Sequence, residues 1–284
     1  MSAVGEALTS YVDSSGGVRV AVHDLGGRGE PLVLCHATGF CGRAYEPLAA
    51  ALSDDFRLWA VDLRGHGDSA APTDGDFAWS GMADDLLAAV EHLGVPSIHA
   101  FGHSLGGATV LLAERARPGV VRSAWLYEPI VWPVGFEHPG GTNPMAGPAR
   151  RRREVFGSRA EALARYARRP PLGRLRADAL WAYVEHGFED RSDGTVRLKC
   201  RAEYEAATFE AETVVTVDRF EGLAPPVTVA VGRRDGPEGP ERLAGPLVEV
   251  LARGRLVGYD HLGHFGPLQD PETVAADVVA ALAG

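Results

Sequence analysis

Apolar and polar positions along this chain follow two rhythms, one of period two and one of period three to four. Ala7 to Val12 and Val18 to Asp24 alternate on either side of Gly16-Gly17, which predicts two strands joined by a hairpin turn. Pro31 to His36 is an unbroken apolar run, the pattern of a strand covered on both faces. Tyr45 to Leu52 has helical spacing, and Phe56 to Val61 returns to strand. Trp79 to Leu93 predicts an amphipathic helix with Met82, Leu86, Leu87, Val90 and Leu93 on its apolar side. A strand from Ser97 to Phe101, a helix from Gly107 to Glu114 and a strand from Arg122 to Tyr127 complete the first half.

The alternation stops after Glu128. Ile130 to Pro148 is crowded with Pro and Gly, and Arg150 to Ala167, Ala177 to Gly187 and Leu198 to Phe209 read as helices with no strand between them. Strand and helix then alternate again: strand Pro225 to Gly232, helix Glu238 to Leu251, strand Arg255 to Tyr259 and helix Pro271 to Leu282. The sum is an α/β fold, a mostly parallel sheet flanked by helices with a helical cap insertion. Residues 1–129 and 216–284 form the core and 130–215 the cap. The cap leaves from the carboxyl edge of the sheet, where ligands of parallel sheets collect, and is expected to lie over that edge as a lid. Its aromatics Trp132, Phe136, Trp181, Tyr183, Phe188 and Phe209 read first as the cap's own core, and second as a pocket lining. Arg150 to Arg153 reads as a solvated helix face.

Composition narrows the partners. The chain has 284 residues, 45% hydrophobic and 23% charged, enough for a sizeable core. A net charge of -10 gives no positive field for nucleic acid or an anionic membrane. No apolar run is long enough to span a bilayer, so no membrane insertion is expected. The N-terminal residues carry neither a basic nor an apolar stretch, and no secretory signal is visible. Cys35, Cys41 and Cys200 are odd in number and lack metal spacing, which fits reduced thiols and a cytoplasmic setting. Lys199 is the only lysine. A small-molecule substrate is the expected partner, with a homodimer left open as the assembly.

The chemistry concentrates at Gly102-His103-Ser104-Leu105-Gly106, between the predicted strand and helix. A strand that becomes a helix within one residue strains that residue, and flanking glycines remove the clashes. Ser104 is thereby presented at the sheet edge beside a helix N-terminus that favours negative charge. A serine hydroxyl needs a general base and an acid that orients the base. His264, in Gly263-His264-Phe265-Gly266, lies on a loop after the last strand and before the last helix, and is preferred to His261. The acid is Asp235 or Glu128, both just beyond strand ends and both in the chain order nucleophile, acid, histidine; Asp235 is preferred. The oxyanion donors are the amides of Leu105 and Thr38, with His36 bracing the loop. His36, Phe40, His103, Trp132 and Phe265 are the candidate substrate contacts, and no metal or organic cofactor is required.

These stretches, together with the loop from His36 and Asp62-Leu63-Arg64-Gly65-His66-Gly67-Asp68-Ser69, resemble the α/β-hydrolase superfamily in content and order from about Val18 to the C-terminus. The resemblance implies a Ser-His-acid hydrolase, and the superfamily includes esterases, lactonases, thioesterases and carbon–carbon bond hydrolases. It implies a loop-shaping role, not a catalytic one, for Asp62, His66 and Ser69. Two departures stand out. His36-Ala37 replaces the usual His-Gly, and Glu128 occupies a position similar to the acid site of some haloalkane dehalogenases, which use an aspartate where this chain has Ser104. The expected activity is hydrolysis of a small to medium, largely apolar ester or thioester through an acyl-enzyme. The rivals are a carbon–carbon hydrolase or cofactor-free haloperoxidase using the same residues, and a non-catalytic ligand receptor on the same fold.

Overall fold

The computed structural model describes residues 8–138, 141–211, 214–236 and 241–283. Its centre is an eight-stranded sheet built from β1 (Leu8–Asp13), β2 (Arg19–Gly27), β3 (Glu30–Cys35), β4 (Phe56–Val61), β5 (Ile98–His103), β6 (Val121–Tyr127), β10 (Val227–Gly232) and β11 (Gly254–Tyr259). The spatial order is β1-β2-β4-β3-β5-β6-β10-β11. From β4 to β11 every neighbouring pair runs parallel; β2 is antiparallel to both β1 and β4. The hairpin expected around Gly16-Gly17 forms, and both glycines have positive φ, at 69° and 70°. The mostly parallel, helix-covered sheet is the one the two rhythms predict.

Central strands are buried along their whole length, as in β5 and β10, because helices lie on both faces. One layer is α2 (Trp79–Leu93) and α3 (Leu105–Ala116), whose apolar sides meet Val33, Cys35, Ala100 and Val229. The other is α1 (Glu46–Leu52) and α10 (Pro271–Leu282), packed on Leu32, Leu34, Phe101 and Trp125. The last helix starts where Asp270 accepts a hydrogen bond from the Thr273 amide and Pro271 fills the first helical turn.

Between β6 and β10 the chain leaves the sheet. It forms α4 (Ala146–Arg150), β7 (Val155–Phe156), α5 (Arg159–Ala167), α6 (Ala177–His186), β8 (Phe188–Asp190), β9 (Val196–Leu198) and α7 (Ala202–Ala211). Three expectations fail here. The segment contains a three-stranded sheet, ordered β7-β9-β8, where only helices were expected. Its strands are two or three residues long, too short to show a period. The helix expected over Arg150 to Ala167 is broken into α4 and α5. Ser158 caps a new helix by accepting from the Glu161 amide, and β7 pairs antiparallel with β9. Likewise Leu198 belongs to β9 and not to the helix that begins at Ala202. Of the helix expected from Glu238, residues 238–240 lie outside the described residues; the helix is seen as α8 (Glu241–Val250).

Lys199 ties this segment to the loop after β4 through a 2.6 Å contact with Asp68. That loop is held from below by Arg64. Its guanidinium is buried, meets both Asp85 oxygens at 2.8 and 3.0 Å, and donates to the Gly81 carbonyl at 2.7 Å. Gly81 is required here, because a Cβ would lie 2.2 Å from the Arg64 guanidinium. Asp85 also accepts from the Ser14 hydroxyl at 2.6 Å and the Arg64 amide at 2.9 Å, so its charge is fully partnered.

Removing one member of such a buried pair strands the other. Asp85→Ala is expected to lower the unfolding free energy by about 3–5 kcal/mol in chemical denaturation. Asp54→Ala, which removes the exposed partner of Arg28, should cost less than about 1 kcal/mol. Equal losses in the two variants would contradict this view of the Arg64 anchor.

Candidate active site

Ser104 lies between the end of β5 and the start of α3, with φ 56° and ψ −116°. A non-glycine residue rarely holds such a backbone, and here the neighbours enforce it. The Ser104 amide donates to the Tyr127 carbonyl at 2.9 Å, and its own carbonyl accepts from Gly107 at 3.0 Å and Ala108 at 3.3 Å. Close approach explains the flanking glycines. A Cβ on Gly106 would sit 2.2 Å from the Cys35 carbonyl oxygen, and one on Gly102 would sit 2.6 Å from the Gly107 Cα. The elbow therefore forms as its pattern predicts.

Glu128 follows β6 and is the other non-glycine residue with positive φ among the described residues, at 44°. Its amide donates to the Ala230 carbonyl at 2.8 Å. Its buried carboxylate accepts from the Gly232 amide at 2.8 Å through Oε1, and meets His264 Nδ1 at 2.5 Å through Oε2. Asp235 reaches the same histidine differently. Its Oδ2 accepts from the His264 backbone amide at 2.9 Å, and its Oδ1 pairs with Arg174 at 2.8 Å. Glu128 thus meets the imidazole ring and Asp235 the backbone of the same residue. The strand end at Glu128 points its acid at the imidazole, while the longer loop after β10 carries Asp235 past the ring to the main chain. His261 turns away to Asp270, at 3.4 Å, and is exposed.

The His264 ring packs against that of His103, the residue before Ser104, with centroids 5.0 Å apart. Among the described residues the Ser104 hydroxyl has no hydrogen-bond partner. The bond from nucleophile to base is often long in a free enzyme and tightens with substrate.

Hydrogen bonds link this corner to the loop after β3. His103 Nε2 lies 2.7 Å from the His264 carbonyl oxygen, which can only accept, so the ring donates from Nε2. Burial, reinforced by the neighbouring His264, holds His103 well below the usual histidine range, so the ring is neutral and its Nδ1 is an acceptor. The Tyr45 hydroxyl, 2.6 Å away, therefore donates to Nδ1, and it accepts from the Ala37 amide at 3.2 Å. His36 braces the same loop. Its Nδ1 donates to the Ala37 carbonyl at 2.8 Å and its Nε2 accepts from the Leu63 amide at 3.0 Å. His36 and His103 use both ring nitrogens within the protein, so neither offers a hydrogen-bonding atom to a substrate as expected. Among the described residues the amides of Leu105 and Thr38 have no acceptor. The Ala37 methyl does not dislodge the loop, because Tyr45 engages the Ala37 amide directly.

Phe265 packs on Phe40 and Phe40 on Tyr183, with centroids 5.2 and 4.8 Å apart, an apolar wall next to His264. Trp132 stacks on Phe136 at 3.9 Å and lies near Arg242. Tyr45 and Tyr127, which donates to the Gly263 carbonyl at 2.9 Å, are positioning residues that sequence reasoning missed. The available signal was a phenol inside an apolar pattern, since a buried hydroxyl finds a partner.

His23, Asp62 and Asp68 are close enough to suggest a cation site. Their atoms are already used: Asp62 accepts from Gly42 at 2.6 Å, Asp68 at 2.7 Å and His23 at 2.8 Å, and Asp68 takes Lys199. The cluster is a loop brace, in line with the shaping role expected of this stretch. Next to it His66 donates from Nδ1 to the Arg64 carbonyl at 3.0 Å, and its buried Nε2 has no partner.

A sequence model described as the Alpha/beta hydrolase family matches residues 32–277. The non-heme chloroperoxidase of Streptomyces lividans is 29% identical over 282 residues, covering 95% of this chain and 98% of that protein. The magnesium-chelatase 30 kDa subunit of Rhodobacter capsulatus is 36% identical over 83 residues, so the chain matches only 29% of its length. The crystal structure of E-2-(acetamidomethylene)succinate hydrolase superposes with a TM-score of 0.80 at 22% identity, covering 98% of this chain and all of that one.

The buried histidines make stability depend on pH. Burial lowers His36, His99 and His103, and takes His66 to about 4. Below about 6.5 the unfolded chain binds these protons and the folded chain does not, so these four groups lower stability as pH drops from about 6.5 toward 4. His23, raised because its burial is outweighed by Asp62, acts in the opposite sense. The His66 share is up to about 3 kcal/mol. His66→Asn can keep a donor near Nδ1 and cannot titrate; denaturation midpoints measured across this range should flatten in that variant. An unchanged slope would remove His66 from the account.

Proposed function

The chain belongs to the α/β-hydrolase family, and we propose that it is a serine hydrolase acting on a small to medium, largely apolar ester or thioester. The observation that carries the reading is the 2.5 Å contact between His264 Nδ1 and the buried Glu128 carboxylate, beside a serine held in a strained turn. With Nδ1–H committed to Glu128, the Nε2 lone pair is free to take a proton. Ser104 Oγ attacks the acyl carbonyl and passes its proton to His264 Nε2. Glu128 stabilises the imidazolium. The negative charge that develops on the carbonyl oxygen is received by the Leu105 and Thr38 amides, which have no competing acceptor among the described residues. His264 then protonates the departing alcohol or thiol, and a water deprotonated by the same ring releases the acid and restores Ser104.

In this reading Asp235 positions the base through its backbone, and residues 130–215 are the cap. The Tyr183 packing on Phe40 and the Arg174 pair with Asp235 support that placement. The apolar wall of Phe40 and Phe265 favours an apolar acyl group. Among the described residues no helix is long and apolar enough to cross a membrane. The three thiols are free and buried, with Cys35 pushed up to about 12 by burial, and they support a reducing cytoplasmic setting.

Hydrolysis of a short-chain aryl ester tests the assignment. Ser104→Ala should abolish turnover with the fold intact by circular dichroism. Glu128→Gln is expected to lower kcat by about 10³–10⁴-fold, the range for loss of the acid that orients the base. Asp235→Asn should cost much less. A silent Glu128→Gln beside a crippled Asp235→Asn would exchange their roles, and retained turnover in Ser104→Ala would end the proposal.

A further inference from the structure

Arginines 150 to 153 do not share a helix face. Arg150 ends α4 and is held by Glu203 and Glu210 at 2.9 and 2.7 Å. Beyond it the chain turns out of the helix, and Arg151, Arg152 and Arg153 line a cleft of about 260 Å³ within the cap. Arg165 and Arg169, at the end of α5, line the same cleft, with Phe156, Tyr166, Pro170, Pro171 and Leu172 as the remaining wall. Five arginines therefore line one open cleft in a chain whose net charge is -10.

The acidic side chains nearby do not balance them. Arg152 is paired with Glu205 at 2.6 Å, and Arg153 with Glu161 at 2.8 Å. Among the described residues Arg151, Arg165 and Arg169 have no ion-pair partner. Glu161, which also attracts Arg165, and Glu205 are two carboxylates against five arginines, so the cleft keeps a net positive charge. The Tyr166 hydroxyl is buried at its wall and has no hydrogen-bond partner, although a buried hydroxyl normally finds one. Phe156 stacks under the Arg153 guanidinium, 4.3 Å from its centroid, and stiffens that donor.

We propose that this cleft is a binding site for a small molecule carrying a multiply charged oxyanion, a phosphate group or clustered carboxylates. Arginine forks match such groups in two-point hydrogen bonds, and the Tyr166 hydroxyl supplies a further donor. A cleft of this size takes a compact anionic group and not a full nucleotide cofactor. The acidic surface elsewhere disfavours a polyanionic macromolecule. The site is distinct from the catalytic serine, but Arg152 joins the two regions: it also meets the Tyr183 hydroxyl, and Tyr183 packs on Phe40 of the loop that carries Thr38.

Isothermal titration with pyrophosphate and, separately, with citrate at matched ionic strength tests the site. Saturable one-to-one binding is expected for at least one probe, weakened at least tenfold in the triple variant Arg151→Ala, Arg165→Ala, Arg169→Ala. The three side chains are exposed or half-buried and unpaired, so melting temperature and basal ester hydrolysis should stay near the parent values. The double variant Arg117→Ala, Arg253→Ala, which removes arginines remote from the cleft, should bind like the parent. Tighter pyrophosphate assigns a phosphate-bearing ligand, and tighter citrate a polycarboxylate. Absence of saturable binding, or equal weakening in the triple variant and the double control, would overturn the proposal. Binding and hydrolysis are read separately, so either can fail alone.

Discussion

At the carboxyl edge of the sheet, one run of hydrogen bonds ties four separate segments together. It starts at the Ala37 amide, passes through the Tyr45 hydroxyl and the His103 ring, and ends on the His264 carbonyl. Its members come from the loop after β3, the first turn of the helical layer, the nucleophile strand and the loop after β11. Each donor and acceptor role follows from the acceptor-only carbonyl at its end. A fixed direction along the run makes it a ruler: the loop after β3 and the loop after β11 are both measured from His103. Polar chains of this kind are costly if any member is unpaired and specific when all are paired.

That arrangement carries strain and buried polarity together. Ser104 and Glu128 both sit at positive φ, and each is held there by backbone hydrogen bonds to neighbouring strands. His36, His66 and His103 are buried without charge. A sheet covered on both faces supplies the apolar burial that can support such local penalties. The strained residues lie at strand ends, where the ladder is rigid enough to impose an unfavourable backbone.

Much of this was legible in the chain. The two rhythms predicted the central strands and flanking helices, because burial on both faces leaves continuous apolar runs. Gly102 to Gly106 announced the elbow, since close approach to Cys35 and Gly107 tolerates no side chain. His264 was legible from its loop. The choice between Glu128 and Asp235 was not, because both lie just past strand ends and the difference is a matter of which way a loop carries its carboxylate. The β7-β9-β8 sheet was hidden by strands too short to repeat a pattern. The arginine run was misread for a related reason. The first helix ends at Arg150, and β7 and the Ser158 cap of a new helix follow where charge spacing alone would continue one helix.

The two carboxylates around His264 have an evolutionary reading. One comes from the end of β6 and holds the ring; the other comes from the end of β10 and holds the amide of the same residue. Adjacent strands thus present acids to a single loop, with no change in sheet order needed to bring either one within reach. A lineage starting from this geometry could hand the orienting role from one strand to its neighbour through side-chain replacements, each intermediate keeping its histidine tethered. Duplicate tethering holds His264 at both its ring and its backbone, so that losing one carboxylate leaves the other contact in place.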